Sequence, residues 1–459
     1  MVRSLPVVSN ISAERELFLW RYRQSQRQYR DMWSTTRYRT RVLGLLCLLM
    51  IITYLDRVCI SVAGPRMQEA LRISPLRWGW VTGVFTIAYA IFEIPTGALG
   101  DRIGPRRVLT RIVLWWSAFT SLTGLVTGYY PLLLTRFLFG MGEAGAFPNT
   151  SIAIARWFPI HERGRAFGFS LMASQFGGAI APLLVVPIQI RYGWRASFYV
   201  FGVLGVVWSA VWFSWFRDTP AEKSGISKVE LHETPVLQGN VHRGLPWSIA
   251  LRSANFWATM GVAFCYVYTF YFFQSWFHTY LVKARGFSEN DLLLSSLPFL
   301  VAACANCAGG LASHALVKRV GLTWGRRSIG VLGLAIAGVC AIAVMFTQQW
   351  VATLILLSLV YGGITFQQPI MFAACLDIGG EFAGATVGAM NTAAQVGSFV
   401  SSVMFGYLVD HYGNYDAPFI PMAGLLLIGA WLWVKVNPAK QLVSGARVVT
   451  QTAAQHAHV

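Results

Sequence analysis

Residues 42–64 read VLGLLCLLMIITYLDRVCISVAG, an apolar run of bilayer-spanning length with two adjacent charges, Asp56 and Arg57, in its second half. A helix of about 20 apolar residues crosses the ~30 Å hydrocarbon core of a membrane. A charged side chain placed there costs about 2.5–3.5 kcal/mol on insertion scales, so it needs a partner or a task. The pattern returns at residues 132–148, LLLTRFLFGMGEAGAFP, where Arg136 and Glu143 interrupt a second apolar run. Two arginines and two carboxylates in apolar surroundings describe a site that holds an anion and takes up a proton.

The whole chain fits that setting. Of 459 residues, 55% are hydrophobic and only 12% charged, about half the charged share of a soluble domain. Twelve apolar stretches have spanning length, at 42–64, 78–100, 108–128, 131–154, 166–188, 195–216, 254–281, 292–316, 328–347, 350–375, 383–409 and 418–436. The expected fold class is therefore an all-α membrane protein, with twelve transmembrane helices in two pseudo-symmetric six-helix bundles. The expected organisation is a basic arm (1–41), a first bundle (42–216), a linker (217–253), a second bundle (254–436) and a tail (437–459). The linker is polar, holds Pro220, Pro235 and Pro246, and shows no core-forming periodicity.

A net charge of +18 raises the question of nucleic acid, and its distribution answers it. With the amino terminus inside, 27 of the 37 Lys and Arg residues fall in inner segments, seven in outer loops and three within spans. That is the positive-inside bias, which places both termini in the cytoplasm. No basic, aromatic domain stands outside the membrane to bind nucleic acid. The seven cysteines all lie in apolar stretches, and Cys304 and Cys307 read as helix-packing residues, since no second ligand pair follows them. The arm is polar and Arg-rich with no cleavable signal, and Met32 is an alternative start to Met1.

Helix geometry lets Arg57, Arg136 and Glu143 come together. Arg57 lies about 10 Å below the outer end of the first span, and Arg136 sits at a similar depth in the fourth. Two guanidiniums at one depth converge on one anion when their helices face a shared cavity, each fork offering bidentate hydrogen bonds to a carboxylate. Glu143, seven residues beyond Arg136, shares its face two turns deeper. Asp56 and Arg57, as neighbours, point about 100° apart and cannot pair along their own helix.

Loops between spans two and three (GALGDRIGPRR, residues 97–107) and between spans eight and nine (GGLASHALVKRVGLTWGRR, residues 309–327) repeat one pattern at equivalent places in the two halves. GDRIGPRR at 100–107 resembles the loop signature of the major facilitator superfamily. YLDRVCISVA at 54–63, RFLFGMGEAGAFPN at 136–149 and ARWFPIHERGRA at 155–166 resemble its anion:cation symporter family. The resemblance covers roughly residues 40–437. It implies proton-coupled symport of a small organic anion, a sugar acid or related carboxylate, across the cytoplasmic membrane by alternating access. By the same resemblance Arg57 and Arg136 contact the anion, while Asp56 and Glu143 carry the coupling proton. The chain departs from the family at His314, where the loop usually repeats an Asp, and at Gln274 and His278, where Leu and Pro are commoner.

Further polar residues in the spans are candidates for lining the cavity: Tyr54, Tyr89, Gln175, Tyr271, Gln274, Asn391 and Gln395. Asn391 matches a position that the family uses for substrate hydroxyls. His278 and His314, near span ends, read as interfacial. Asp101, Arg102, Arg106 and Arg163 at the inner surface form a charged cluster suited to latching the bundles in the outward-facing state. An ATP-driven pump is excluded by the lack of a Gly-rich phosphate loop ending in Lys, and no His-Glu-x-x-His supports an enzyme. No cofactor or metal is expected, and the partners are the anion, protons and the bilayer around a monomer. The alternatives within transport are a proton-independent exchanger, an inorganic phosphate carrier, or sodium in place of protons.

Overall fold

The computed structural model describes residues 37–226, 231, 247–288 and 290–442, and these are helical almost throughout. Most of the amino-terminal arm with Met32, most of the linker and residues 443–459 lie outside the described residues. The chain runs α1 (Arg37–Ala70), α2 (Pro75–Ile103), α3 (Pro105–Thr123), α4 (Tyr129–Glu143), α5 (Ala146–Trp157), α6 (Ile160–Tyr192) and α7 (Trp194–Trp215). After the linker come α8 (Trp247–Ala250), α9 (Ala254–Ser275), α10 (Phe277–Arg285), α11 (Ser296–Val320), α12 (Leu322–Phe346), α13 (Trp350–Gly379), α14 (Ala383–Tyr412) and α15 (Phe419–Lys435). Local chemistry sets several starts: Ser74 caps α2 by accepting from the Arg77 amide, with Pro75 at the first helical position.

Among the described residues, nine helices are long and apolar enough to cross a membrane. The other three segments are α3, the α4–α5 pair and the 17-residue α15. Two expected spans are broken. The stretch 131–154 divides at Ala144–Gly145, and 254–281 divides at Trp276. Gly145 has φ +90°, a left-handed conformation open to glycine, and a β-carbon there would lie 2.6 Å from Thr96 on α2. Trp276 is fully buried, stacked on Phe405 at 4.7 Å and donating from Nε1 to the Ser402 carbonyl.

Helices α1–α7 pack on one another, chiefly α1 on α6, α3 on α7 and α2 on α4. Helices α9–α15 do likewise, through α11–α13, α12–α13 and α9–α14. The two groups meet along α2–α14, α6–α11 and α1–α10. These seams are closed at the end away from the linker. There Thr82 meets Ser402 at 2.6 Å, Gln68 donates to Thr279, and the Leu76 amide donates to Asp410. At Gly79 a β-carbon would sit 2.5 Å from the Ser402 carbonyl oxygen, so α2 and α14 touch backbone to backbone. At the linker end the same helices part. Gly164 and Gly168 on α6 and Gly384 and Gly388 on α14 face open space, and Ile94 and Leu311 are 69% and 74% exposed.

Candidate functional site

The two arginines do converge. Arg57 from α1 and Arg136 from α4 line one water-sized cavity, together with Ile60, Thr82, Phe85, Tyr271 and Gln274. Arg57 Nε donates to Glu143 Oε1 at 2.5 Å, and its guanidinium lies over the rings of Tyr89 (4.9 Å), Phe85 (5.3 Å) and Tyr54 (5.6 Å). Arg136 rests on Phe139 (4.6 Å) and on Phe85 (5.1 Å). Aromatic faces steady a cation without neutralising it, so Arg136 stays available to an anion, while Arg57 is shared with Glu143.

The break in the fourth span puts Glu143 at the last residue of α4, buried and against Arg57. Its other oxygen, Oε2, is buried without a hydrogen-bond partner, as is Arg57 Nη2. Asp56 is also buried, and neither of its oxygens has a hydrogen-bond partner. An ionised carboxylate without a partner is costly in such surroundings. One acid of the site is therefore hydrogen-bonded to an arginine, and the other has no hydrogen-bond partner.

The polar candidates divide into three groups. Tyr54 and Tyr89 flank Arg57, while Tyr271 and Gln274 line the cavity, Tyr271 donating to the Thr82 carbonyl across the two halves. Gln175 accepts from the Tyr361 hydroxyl, which in turn accepts from Gln274, so a chain of bonds links α6, α13 and α9. Asn391 and Gln395 do not line the water-sized cavity. Asn391 reaches across the seam to Glu93 Oε1 at 3.4 Å, and half-buried Gln395 follows one turn on. The expected latch residues bond within the first half: Arg106 to the Phe213 carbonyl, Arg163 to those of Phe158 and Ala155. Asp101 accepts through its backbone from Arg156, and Arg102 is exposed.

Two expectations need correction. His278 is not interfacial: it is fully buried between Ser61 of α1 (2.9 Å) and Ser295 (3.0 Å), because the break at Trp276 turns it into the seam. Cys304 and Cys307 are exposed rather than packed between helices, although Cys307 lies 3.8 Å from Met172 of α6. His314 is exposed. Glu93 is not among the candidates above, yet the criterion that marks Asp56, an acid inside an apolar run, applies to it equally. Tyr361, stacked on Phe273 at 4.2 Å, has no such signal.

Comparison with known proteins places this arrangement. Residues 46–402 match the family model described as Major Facilitator Superfamily. The chain is 35% identical over 403 residues to the probable sulfoacetate transporter of Cupriavidus necator, covering 86% of this chain and 93% of that one. It is 28% identical to the hexuronate transporter of Bacillus subtilis (85% and 92% covered) and 28% identical to the D-galactonate transporter of Escherichia coli O6:H1 (85% and 94%). Its fold is similar to that of a bacterial homologue of the human lysosomal transporter Spinster in an inward-facing, unoccupied conformation. The TM-score is 0.72 at 18% identity, with 88% of this chain and 97% of that one covered.

Proposed function

This chain belongs to the major facilitator superfamily and is a transport protein rather than an enzyme; from that premise we propose that it carries a small organic anion together with protons by alternating access. The observation that carries this reading is the shared cavity of Arg57 and Arg136, with Glu143 held on one of them. The substrate class is a sugar acid or a related small carboxylate or sulfonate, in keeping with the names of the relatives.

Coupling follows from competition for a cation. An anion that engages Arg57 displaces Glu143 from it. The displaced carboxylate has then lost its hydrogen-bonded counter-charge in a buried place, and taking a proton relieves that. Loss of the anion reverses both steps, so anion and proton arrive and leave together. Asp56, already unpartnered, offers the second proton position. With the seams closed at the far end and parted at the linker end, both leave towards the linker side. That side is the cytoplasm in our reading, the protein lying in the cytoplasmic membrane with both termini inside.

The test is uptake of labelled sulfoacetate, galactonate and hexuronates into proteoliposomes with and without an inward proton gradient. We expect gradient-driven accumulation of at least one acid, its loss in Arg57→Ala, and its loss in Glu143→Gln. Accumulation that ignores the gradient would overturn the coupling, and an Arg57→Ala variant with unchanged uptake would overturn the site.

A further inference from the structure

Glu93 stands one helical turn beyond Tyr89 on α2, so it shares a face with the ring that carries the Arg57 guanidinium. Its carboxylate accepts from Asn391 Nδ2 on α14, which makes it a direct contact between the two halves. This contact marks the linker-side limit of the closed part of the α2–α14 seam. Beyond it Ile94 is 69% exposed and Gly388 and Gly384 face open space, whereas towards the far end the helices touch at Thr82–Ser402 and at Gly79. Along α2, Glu93 stands about two turns from Phe85 of the arginine cavity, on the side towards the linker end.

We propose that Glu93 is a third proton-binding residue of the transport path, and that its protonation sets how readily the linker-side mouth closes. The proposal deepens the reading of the chain as a proton-coupled carrier and rests on it. In the parted arrangement Glu93 is half-buried and held by an amide. Closing the mouth removes its remaining water, and a carboxylate losing water without gaining a cation is strongly disfavoured. The proton-bound acid has no such penalty. The charged and titratable groups that act on it are Arg57 from α1 and Tyr89 on its own helix, with neutral Asn391 from α14. Arg57, the nearest cation, is already held by Glu143. Closure therefore consumes a proton at Glu93, and opening to the linker side releases it.

The experiment needs no substrate, so its failure is distinct from failure to find the anion. Leu311 lies one turn from Cys307 on the α11 face that meets Met172 of α6. A Leu311→Cys reporter, with exposed Cys304 and Cys307 replaced by serine, is placed in the full-length protein in lipid nanodiscs. Maleimide labelling is then followed across pH, each rate normalised to the denatured chain at the same pH. The expected result is slower labelling as pH falls, by at most about tenfold per pH unit for one proton. Glu93→Gln should label at the slow, acidic rate throughout, while Glu93→Asp, which still titrates, should keep a pH response. A Glu93→Gln profile that follows the parent chain would overturn the proposal. So would a pH-independent rate in the parent chain, which needs no Glu93 variant at all.

Discussion

Gly79→Ala should open the far end of the molecule. A β-carbon at residue 79 would lie 2.5 Å from the Ser402 carbonyl oxygen and 3.1 Å from the Val403 α-carbon. Both obstacles are backbone, so no side-chain rotation relieves the contact, and α2 and α14 must separate. Forcing one methyl into a filled contact costs about 1–3 kcal/mol. That cost falls only on the arrangement in which the seam is closed, so the ratio of open to closed molecules should rise roughly 5- to 150-fold. Thr279 reports on this from a different pair of helices. It is fully buried in the α1–α10 seam and accepts from Gln68. In a Thr279→Cys background, impermeant maleimide added from outside should label the Gly79→Ala protein faster by that factor. Unchanged labelling alongside a lowered melting temperature would refute the reasoning, because the α2–α14 contact would then be fixed core packing and not a seam that parts.

Two further outcomes follow from the same kind of contact. Gly145→Ala should lower the thermal unfolding temperature, because a left-handed conformation costs a non-glycine residue about 1–2 kcal/mol and the new methyl would strike Thr96; a neutral result would mean that the break after Glu143 tolerates another geometry. Asp218, beyond the end of α7, tests the linker-end loops: burial pushes its carboxyl above the usual carboxylate range, although it accepts from the Arg106 amide and lies 3.9 Å from Arg156. Its raised value in the folded chain means that its contribution to stability is complete below the unfolded carboxylate pKa and declines as pH rises through the folded value. The melting temperature of the parent chain relative to Asp218→Asn should therefore fall as pH rises across the acidic range, and a constant or rising difference would refute that sign.

Much of the site was legible because charge in an apolar run is improbable without a reason. Asp56, Arg57, Arg136 and Glu143 stand out on that ground alone, and helical spacing was enough to expect Arg57 and Arg136 in one cavity. The same ground applied to Glu93, but its partner Asn391 is 298 residues away, and no local spacing reveals it. The helix breaks were hidden for different reasons. Gly140, Gly142 and Gly145 all surround Glu143, and nothing in their spacing singles out Gly145 as the left-handed one. At Trp276 neither Gly nor Pro marks the break; tertiary stacking on Phe405 accompanies it. His278 was misplaced for this reason, since a continuous helix would not turn it towards Ser61 and Ser295.

The breaks also bear on why the acids differ. A carboxylate in mid-helix, such as Asp56, meets no free backbone donors and stands or falls by its side-chain partners. Glu143 sits at a helix carboxyl end, where exposed carbonyls add partial negative charge and disfavour an anion further. Arg57 offsets both penalties, but only while Arg57 is not engaged elsewhere. In the coupling proposed above, whatever takes Arg57 from Glu143 makes a proton on Glu143 more favourable. With Asp56 unpartnered and Glu93 at the mouth, the two arginines are outnumbered by three carboxyl groups. On the proposed reading, an anion added to that set gains more from the arginines when protons neutralise the acids. Coupling, in this reading, is a matter of charge balance in a dry cavity and requires no dedicated relay.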